Sequence, residues 1–257
     1  MEEKQNNIIF TDEEGLVTIT LDRQPLNILS LEMLQDINER LAELQFRSDV
    51  KLIQFCANGD IFSAGLSMEQ HNGEMAYHLI NEFHRLFGLL HGIPIPILAV
   101  VQGPALGGAC ELVAYCDLAI AGEKAKFGQP EIKVGVFPTV ATVLYPYIMG
   151  KKRAMELILT GTIISAKQAL ELNMINKVVP DASLESEAKN IIDALLAHSS
   201  VVVQYTKQAL INSRLLEFTE ALRTVEDIYL TQLLQTLDAQ EGIRAFLEKR
   251  KAQWENK

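Results

Sequence analysis

Hydrophobic and polar positions along this chain follow two alternating rhythms. In "NIIFTDEEGLVTITLD", residues 7–22, an alternating pattern flanks an acidic stretch that ends in Gly15, which predicts two short strands around a turn. Leu31, Leu34, Ile37, Leu41 and Leu44 then recur at spacings of three and four, the stripe of an amphipathic helix, with Ser30 in the capping position. "VKLIQFCA" reads as a strand, "NGDIFSAGLSMEQHNG" as a glycine-bearing loop, and residues 74–91 return to helical spacing. "PILAVVQG" predicts a buried strand, "GGACELVAY" a helix opening on glycines, and "CDLAIAG" another strand. Strands that alternate with helices predict an α/β protein.

From about residue 151 the texture changes. "KKRAMELILTG", "SAKQALELN", "SLESEAKNIIDALLAHS" and the stretch from Val201 to Trp254 are nearly all helical in pattern. We divide the chain into a core, residues 1–198, and a helical C-terminal segment, residues 199–257.

Composition narrows the function more than the fold. A net charge of −10 disfavours nucleic acid and anionic membranes as partners, and leaves a small anionic ligand compatible with a few local bases. Cys56, Cys110 and Cys116 form no CxxC pair, and their odd number argues for buried thiols rather than a disulfide framework. The acidic, polar "MEEKQNNIIF" is unlike a secretory signal. The longest apolar run, "LFGLLHGIPIPILAVVQG", is interrupted by prolines, glycines and a histidine, so no membrane span is expected and the cytoplasm is the expected compartment. His78, His84 and His91 recur on one helix without carboxylates at ligand spacing, so no metal site is expected. There is no P-loop, GxGxxG or GxSxG element, and no prosthetic group is expected. Asn27 reads as a cap for the helix that follows it, and Asp117 as a turn or core hydrogen-bonding residue.

Two acids stand out. Glu111 and Glu131 both lie in apolar surroundings, where a carboxylate costs several kcal/mol to desolvate unless it is paired, hydrogen-bonded or protonated. "GPALGG" followed by a helix exposes first-turn N–H groups, and Gly108 has no side chain to block an approaching anion. "FSAGLS" offers a second exposed N–H at Leu66, and two such donors converging on one carbonyl oxygen make an oxyanion hole. Pro130 disfavours helix at Gln129, so Glu131 emerges from an irregular, well-fixed loop. Plainer readings stand beside these: Glu111 as a first-turn stabiliser favoured by the helix dipole, Glu131 as an exposed loop acid, and "FSAGLS" as a simple strand-to-helix turn.

"FSAGLSMEQ", "GPALGGACELVAYCDLAIAGEKAKFGQPEIKVGVFP" and "ILTGTIISAKQALELNMINKVVP" resemble the crotonase superfamily of enoyl-CoA hydratases and isomerases, and the likeness runs on to "GIRAFLEKRKAQW". The resemblance implies a spiral of ββα units with a helical C-terminal segment. It implies an acyl-CoA substrate whose thioester carbonyl is held by the N–H groups of Leu66 and Gly108. Glu111 and Glu131 match the glutamate pair with which the hydratases hold a water and move protons. Coenzyme A then enters only as part of the substrate, contacted by Leu26, Ala64 and Met68. Phe246 and Lys249 match positions near the coenzyme, Lys249 reaching its 3′-phosphate, often on a neighbouring subunit. A homotrimer or a dimer of trimers is the implied assembly.

Two segments depart from the common fatty-acid hydratases. "TVATVLYP" follows "GVFP" where that subgroup carries a glycine-rich run, and "LSMEQH" continues the oxyanion loop. Both are similar to the branch that hydrates cyclohexa-1,5-diene-1-carbonyl-CoA. On that resemblance Phe137, Val140 and Val143 widen an apolar acyl pocket, with Glu69 and His71 beside it. The alternatives are an isomerase that shifts the double bond and needs one glutamate, and a non-catalytic or RNA-binding superfamily member, against which the net charge of −10 weighs.

Overall fold

The computed structural model describes residues 7–45 and 47–257; the first six residues of the polar N-terminus, and Phe46 at the end of the first helical stripe, lie outside the described residues. Strands β1 (Ile8–Glu13) and β2 (Leu16–Leu21) pair antiparallel, as their alternation predicts. Their turn places Glu14 and Gly15 at φ 48° and 88°, the backbone shape that a tight two-residue hairpin requires. Along β2 every second residue, Val17, Ile19 and Leu21, is fully buried.

Helix α1 (Leu31–Leu44) begins at Ser30, whose Oγ accepts the Met33 N–H at 3.4 Å, and its buried face carries Leu34, Ile37 and Leu41. Asn27 is not its cap. It sits at φ 47°, accepts the Arg23 N–H through Oδ1, and donates through Nδ2 to the Asn58 and Ile61 carbonyls, tying two loops together. Strand β3 (Leu52–Ala57) adds parallel to β2, and helix α2 (Gly73–Gly92) packs against α1. Strands β4 (Ile97–Val101), β6 (Leu118–Gly122) and β9 (Lys177–Val179) continue the sheet in parallel, in the order β1-β2-β3-β4-β6-β9.

Both faces of this sheet are covered, which is why β4 is buried along its whole length. The larger apolar core holds α1, α2 and α3 (Gly108–Tyr115) together with α4 (Thr139–Thr160). A smaller cluster packs α6 (Leu184–Leu196) on the opposite face, through Leu184 and Ala188 against Leu98, Val100 and Ile120. Helix α4 breaks at Gly150, which sits at φ 76°. Helix α5 (Ala166–Glu171) is fixed by a capping box between Ser165 and Gln168.

A second sheet, order β5-β7-β8, joins Ala105–Leu106, Lys126–Gly128 and Ile163–Ser165. Strands of two or three residues leave no alternation to read in a sequence. They are nevertheless the elements that assemble the site.

After α6 the chain continues into α7 (Ser200–Asn212), α8 (Phe218–Asp227) and α9 (Leu237–Leu247). Lys207 anchors this segment: its Nζ lies 2.7 Å from Asp117 Oδ2 and donates to the Ile95 carbonyl at 2.8 Å, while Asp117 Oδ2 also accepts the Ile97 N–H. Asp117 is thus a hydrogen-bonding residue at the rim of the core, with a third of its side chain exposed. Leu210, Leu215, Phe218 and Leu222 face outward from these helices. Among the described residues no helix is long and apolar enough to cross a membrane, and no three His, Cys, Asp or Glu side chains gather as a metal site would require.

Candidate active site

Short ladders bring three distant segments side by side. Leu106 N donates to the Ser63 carbonyl at 3.0 Å, which sets the first glycine loop along β5. Strand β5 pairs in parallel with β7, Leu106 opposite Gly128, and Gly107 N donates to Gly128 O at 2.9 Å. The segment that carries Glu131 therefore emerges beside the glycines that open α3.

The two predicted amides are free to act. Leu29 N donates to Gly65 O and Ser67 N donates to Leu29 O, so Leu66 turns its own N–H to the opposite side, toward the cleft it lines. Gly108 N belongs to the first turn of α3, where no carbonyl four residues back accepts it. Among the described residues neither N–H has a protein acceptor. Gly65 lets the two loops approach: a Cβ there, at φ 98°, would lie 2.7 Å from Leu106 O and 3.3 Å from Gly108 N.

Both glutamates line one cleft of about 620 Å³, together with Leu66, Met68, Phe83 and Phe137. Glu111 projects from the first turn of α3 and is only 2% exposed; its Oε1 accepts the Ala141 N–H at 2.7 Å. Burial pushes its carboxyl up to about 7, opposed by the Ala141 and Val140 amides and reinforced by the charge of Glu131. Glu131 sits on a 3-10 turn, Pro130–Val134, that ends at left-handed Gly135, so the expected irregular loop is a single tight turn with proline in its first position. Burial pushes Glu131 up to about 6. Its carboxylate occupies the space beside Gly107 that a side chain would fill: a Cβ there would stand 2.7 Å from Oε1.

Gln129, fully buried, was not among the sequence candidates. With its amide nitrogen turned to Glu131, so that neither end faces its own kind, Nε2 lies 3.1 and 3.2 Å from the two carboxyl oxygens and Oε1 accepts from Tyr145 Oη at 2.5 Å. Nothing in the sequence pairs Gln129 with Tyr145; the contact exists because α4 folds back over α3. Ala141 and Tyr145 are four apart and share the face of α4 that turns inward.

The other candidates divide. Ala64, Met68, His71 and Phe137 line the cleft, and His71 Nδ1 sits 2.8 Å from Ser67 O. Leu26 is outside the lining, and its carbonyl accepts the N–H of Ala64, which lines the cleft, at 2.9 Å. Glu69 is exposed and outside the lining. Val140 and Val143 do not line this cleft: on the face of α4 that they share with Tyr147, they border a separate cavity with Leu90 and Tyr115. Ile80, Val134 and Val136 supply apolar wall in their place. Phe246 and Lys249, at the end of α9, are exposed and likewise lie outside the lining.

Comparison with known proteins gives this geometry its relatives. The enoyl-CoA hydratase/isomerase family profile matches residues 11–257. A probable mitochondrial enoyl-CoA hydratase of Dictyostelium discoideum is 37% identical, covering 96% of this chain and 90% of its own length. The cyclohexa-1,5-dienecarbonyl-CoA hydratase of Thauera aromatica is 31% identical over 97% of this chain and 96% of its own. The crystal structure of an enoyl-CoA hydratase from Bacillus anthracis superposes with a TM-score of 0.92 at 29% identity, covering 98% of this chain and all of that one. The fold anticipated from the glycine-rich motifs is the one the chain adopts, and the chain belongs to the enoyl-CoA hydratase/isomerase family of the crotonase superfamily.

Proposed function

We propose that the protein is a hydratase that adds water to, or removes it from, an α,β-unsaturated acyl-CoA thioester. The observation that carries this reading is two carboxyl groups on the wall of one apolar cleft, beside two unpaired main-chain amides. Water addition to a conjugated thioester builds negative charge on the carbonyl oxygen, and the Leu66 and Gly108 N–H groups stabilise that enolate-like oxygen; the loss of one such donor lowers rates by ~10²–10³. Glu111 takes a proton from the attacking water while Glu131 delivers one to carbon, and dehydration reverses both transfers. Two carboxyls raised together by burial keep one proton between them near neutral pH, and its titration belongs to the pair.

Ala64 and Met68 line the cleft where the coenzyme passes, and Leu26 adjoins it through its bond to Ala64. Phe246 and Lys249 meet the coenzyme of a neighbouring copy in a trimer or a dimer of trimers. The apolar surface that α7 and α8 turn outward supports that assembly. A monomer in sedimentation at micromolar concentration overturns it. Phe137, Val134 and Val136 form an apolar acyl wall, which, with the Thauera relative, favours a cyclic dienoyl substrate.

The test is hydration of crotonyl-CoA and of cyclohexa-1,5-diene-1-carbonyl-CoA side by side, followed by loss of the conjugated thioester absorbance. Glu111→Gln and Glu131→Gln each lower the rate by ~10²–10⁴. Near wild-type hydration by either variant ends the paired-acid mechanism and leaves the isomerase reading, for which one glutamate suffices. A large preference for crotonyl-CoA ends the cyclic one.

A further inference from the structure

Behind Glu131 runs a chain of polar side chains that the two-acid mechanism does not use. Tyr145, Gln129 and Cys110 are each fully buried in an otherwise apolar core. Tyr145 Oη lies 2.5 Å from Gln129 Oε1, and Cys110 Sγ lies 3.1 Å from the same hydroxyl. Burial drives the Tyr145 hydroxyl far above its ordinary range, so it stays protonated and can donate.

An amide can rotate to present either end. With the oxygen toward Glu131, three acceptors would crowd together at about 3 Å; with the nitrogen toward it, both carboxyl oxygens receive an N–H. Tyr145 favours the second arrangement, because its O–H, turned toward Gln129, finds an acceptor in the amide oxygen at 2.5 Å. Cys110 Sγ lies 3.1 Å from the same hydroxyl and 3.8 Å from Met174 Sδ, which its S–H faces.

We infer that Tyr145 is a positioning residue for Glu131, acting through Gln129, which it holds with its N–H groups against the carboxylate. The inference rests on the reading of Glu131 as a proton carrier. It makes the charged form of Glu131 the form this buried chain supports, whichever way the reaction runs. In hydration Gln129 stabilises the carboxylate left when the proton passes to carbon. In dehydration it stabilises the carboxylate that takes that proton.

The experiment is Tyr145→Phe, which keeps the ring and removes the donor, assayed in both directions across pH alongside Gln129→Met, the double variant and Glu131→Gln. Losing one buried neutral hydrogen bond lowers kcat by about 3- to 10-fold, with KM within about twofold because no contact to the acyl-CoA changes. Without the amide donors Glu131 is a weaker acid, so the limb it governs moves to higher pH: the alkaline limb for hydration, the acid limb for dehydration. Gln129→Met gives the same shift and serves if Tyr145→Phe does not fold. The double variant is no worse than Gln129→Met alone, since both act on one carboxylate. An unmoved limb in a folded single variant, or losses that multiply in the double, overturns the positioning role. Retained activity in Glu131→Gln overturns instead the function on which it rests.

Discussion

Two places in this molecule hold charged side chains wholly or partly buried, and they follow opposite rules. At the start of β4 and β6, Lys207 meets Asp117, and the surrounding main chain takes up the remaining bonds. In the cleft, Glu111 shares one wall with Glu131, a neighbour of the same sign, and the donors around them fall short of what two carboxylates would need. The first arrangement is electrically complete, and its product is attachment: it fastens α7 to the sheet. The second is incomplete, and the deficit appears as two carboxyls raised above their ordinary range. Charge that is compensated builds structure; charge left uncompensated is available for chemistry.

The contrast can be broken most sharply at Gly107. A methyl group there would stand 2.7 Å from Glu131 Oε1, on a backbone held at φ 54° that alanine rarely adopts, so Gly107→Ala displaces the carboxyl and strains the loop before α3. Turnover in the conjugated-thioester assay falls by ~10²–10³ while urea unfolding shows a protein that still folds cooperatively. Unchanged turnover would mean that Glu131 acts from some other position.

Glu111→Gln tests the deficit itself, through stability rather than rate. Burial raises the Glu111 carboxyl to about 7 in the folded state, against 4.5 for the ordinary group, with the charge of Glu131 adding to the rise. A raised folded pKa means that folding binds a proton between those values, so stability falls as pH rises through that window and the penalty is complete above it. Glutamine keeps an oxygen for the Ala141 N–H and carries no charge. The variant therefore matches the parent near pH 4 and is more stable at pH 8 by on the order of 3 kcal/mol, read from urea midpoints. A gain that did not depend on pH would show that desolvation of this carboxyl is not its source.

Lys207→Met tests the compensated pair and carries the smallest effect. Removing one member of a fully enclosed pair costs about 3–5 kcal/mol. Asp117 keeps a third of its side chain in water, so we expect about 2 kcal/mol. Hydration per folded molecule stays at the parental level. Loss of activity without loss of stability would tie this pair to the chemistry and dissolve the distinction.

What the sequence disclosed follows the same division between local and distant causes. The stripe from Leu31 to Leu44, the Ser30 cap and the hairpin turn at Gly15 are written in neighbouring residues, and they formed as read. Glu111, Glu131 and the two glycine loops were legible because acids and glycines are conspicuous in apolar segments. The partners of those acids were not. Ala141 reaches Glu111 from thirty residues away and Tyr145 reaches Gln129 from sixteen, across a fold assembled by strands too short to show a period. Val140 and Val143 border a different cavity from the one that Phe137 lines, and the cause is local. The helical period of "TVATVLYP" turns both valines to the face opposite Ala141 and Tyr145.

The first turn of α4 has a double duty with a practical consequence. Thr139 forms part of the cleft wall, and two residues later Ala141 grips Glu111. A graft that replaces this segment to reshape the cleft wall also changes the amide that Glu111 accepts from. The shape of the cleft and the proton affinity of Glu111 are mechanically geared to each other, so libraries that aim to alter one should vary residues 136–141 as a block and screen across pH.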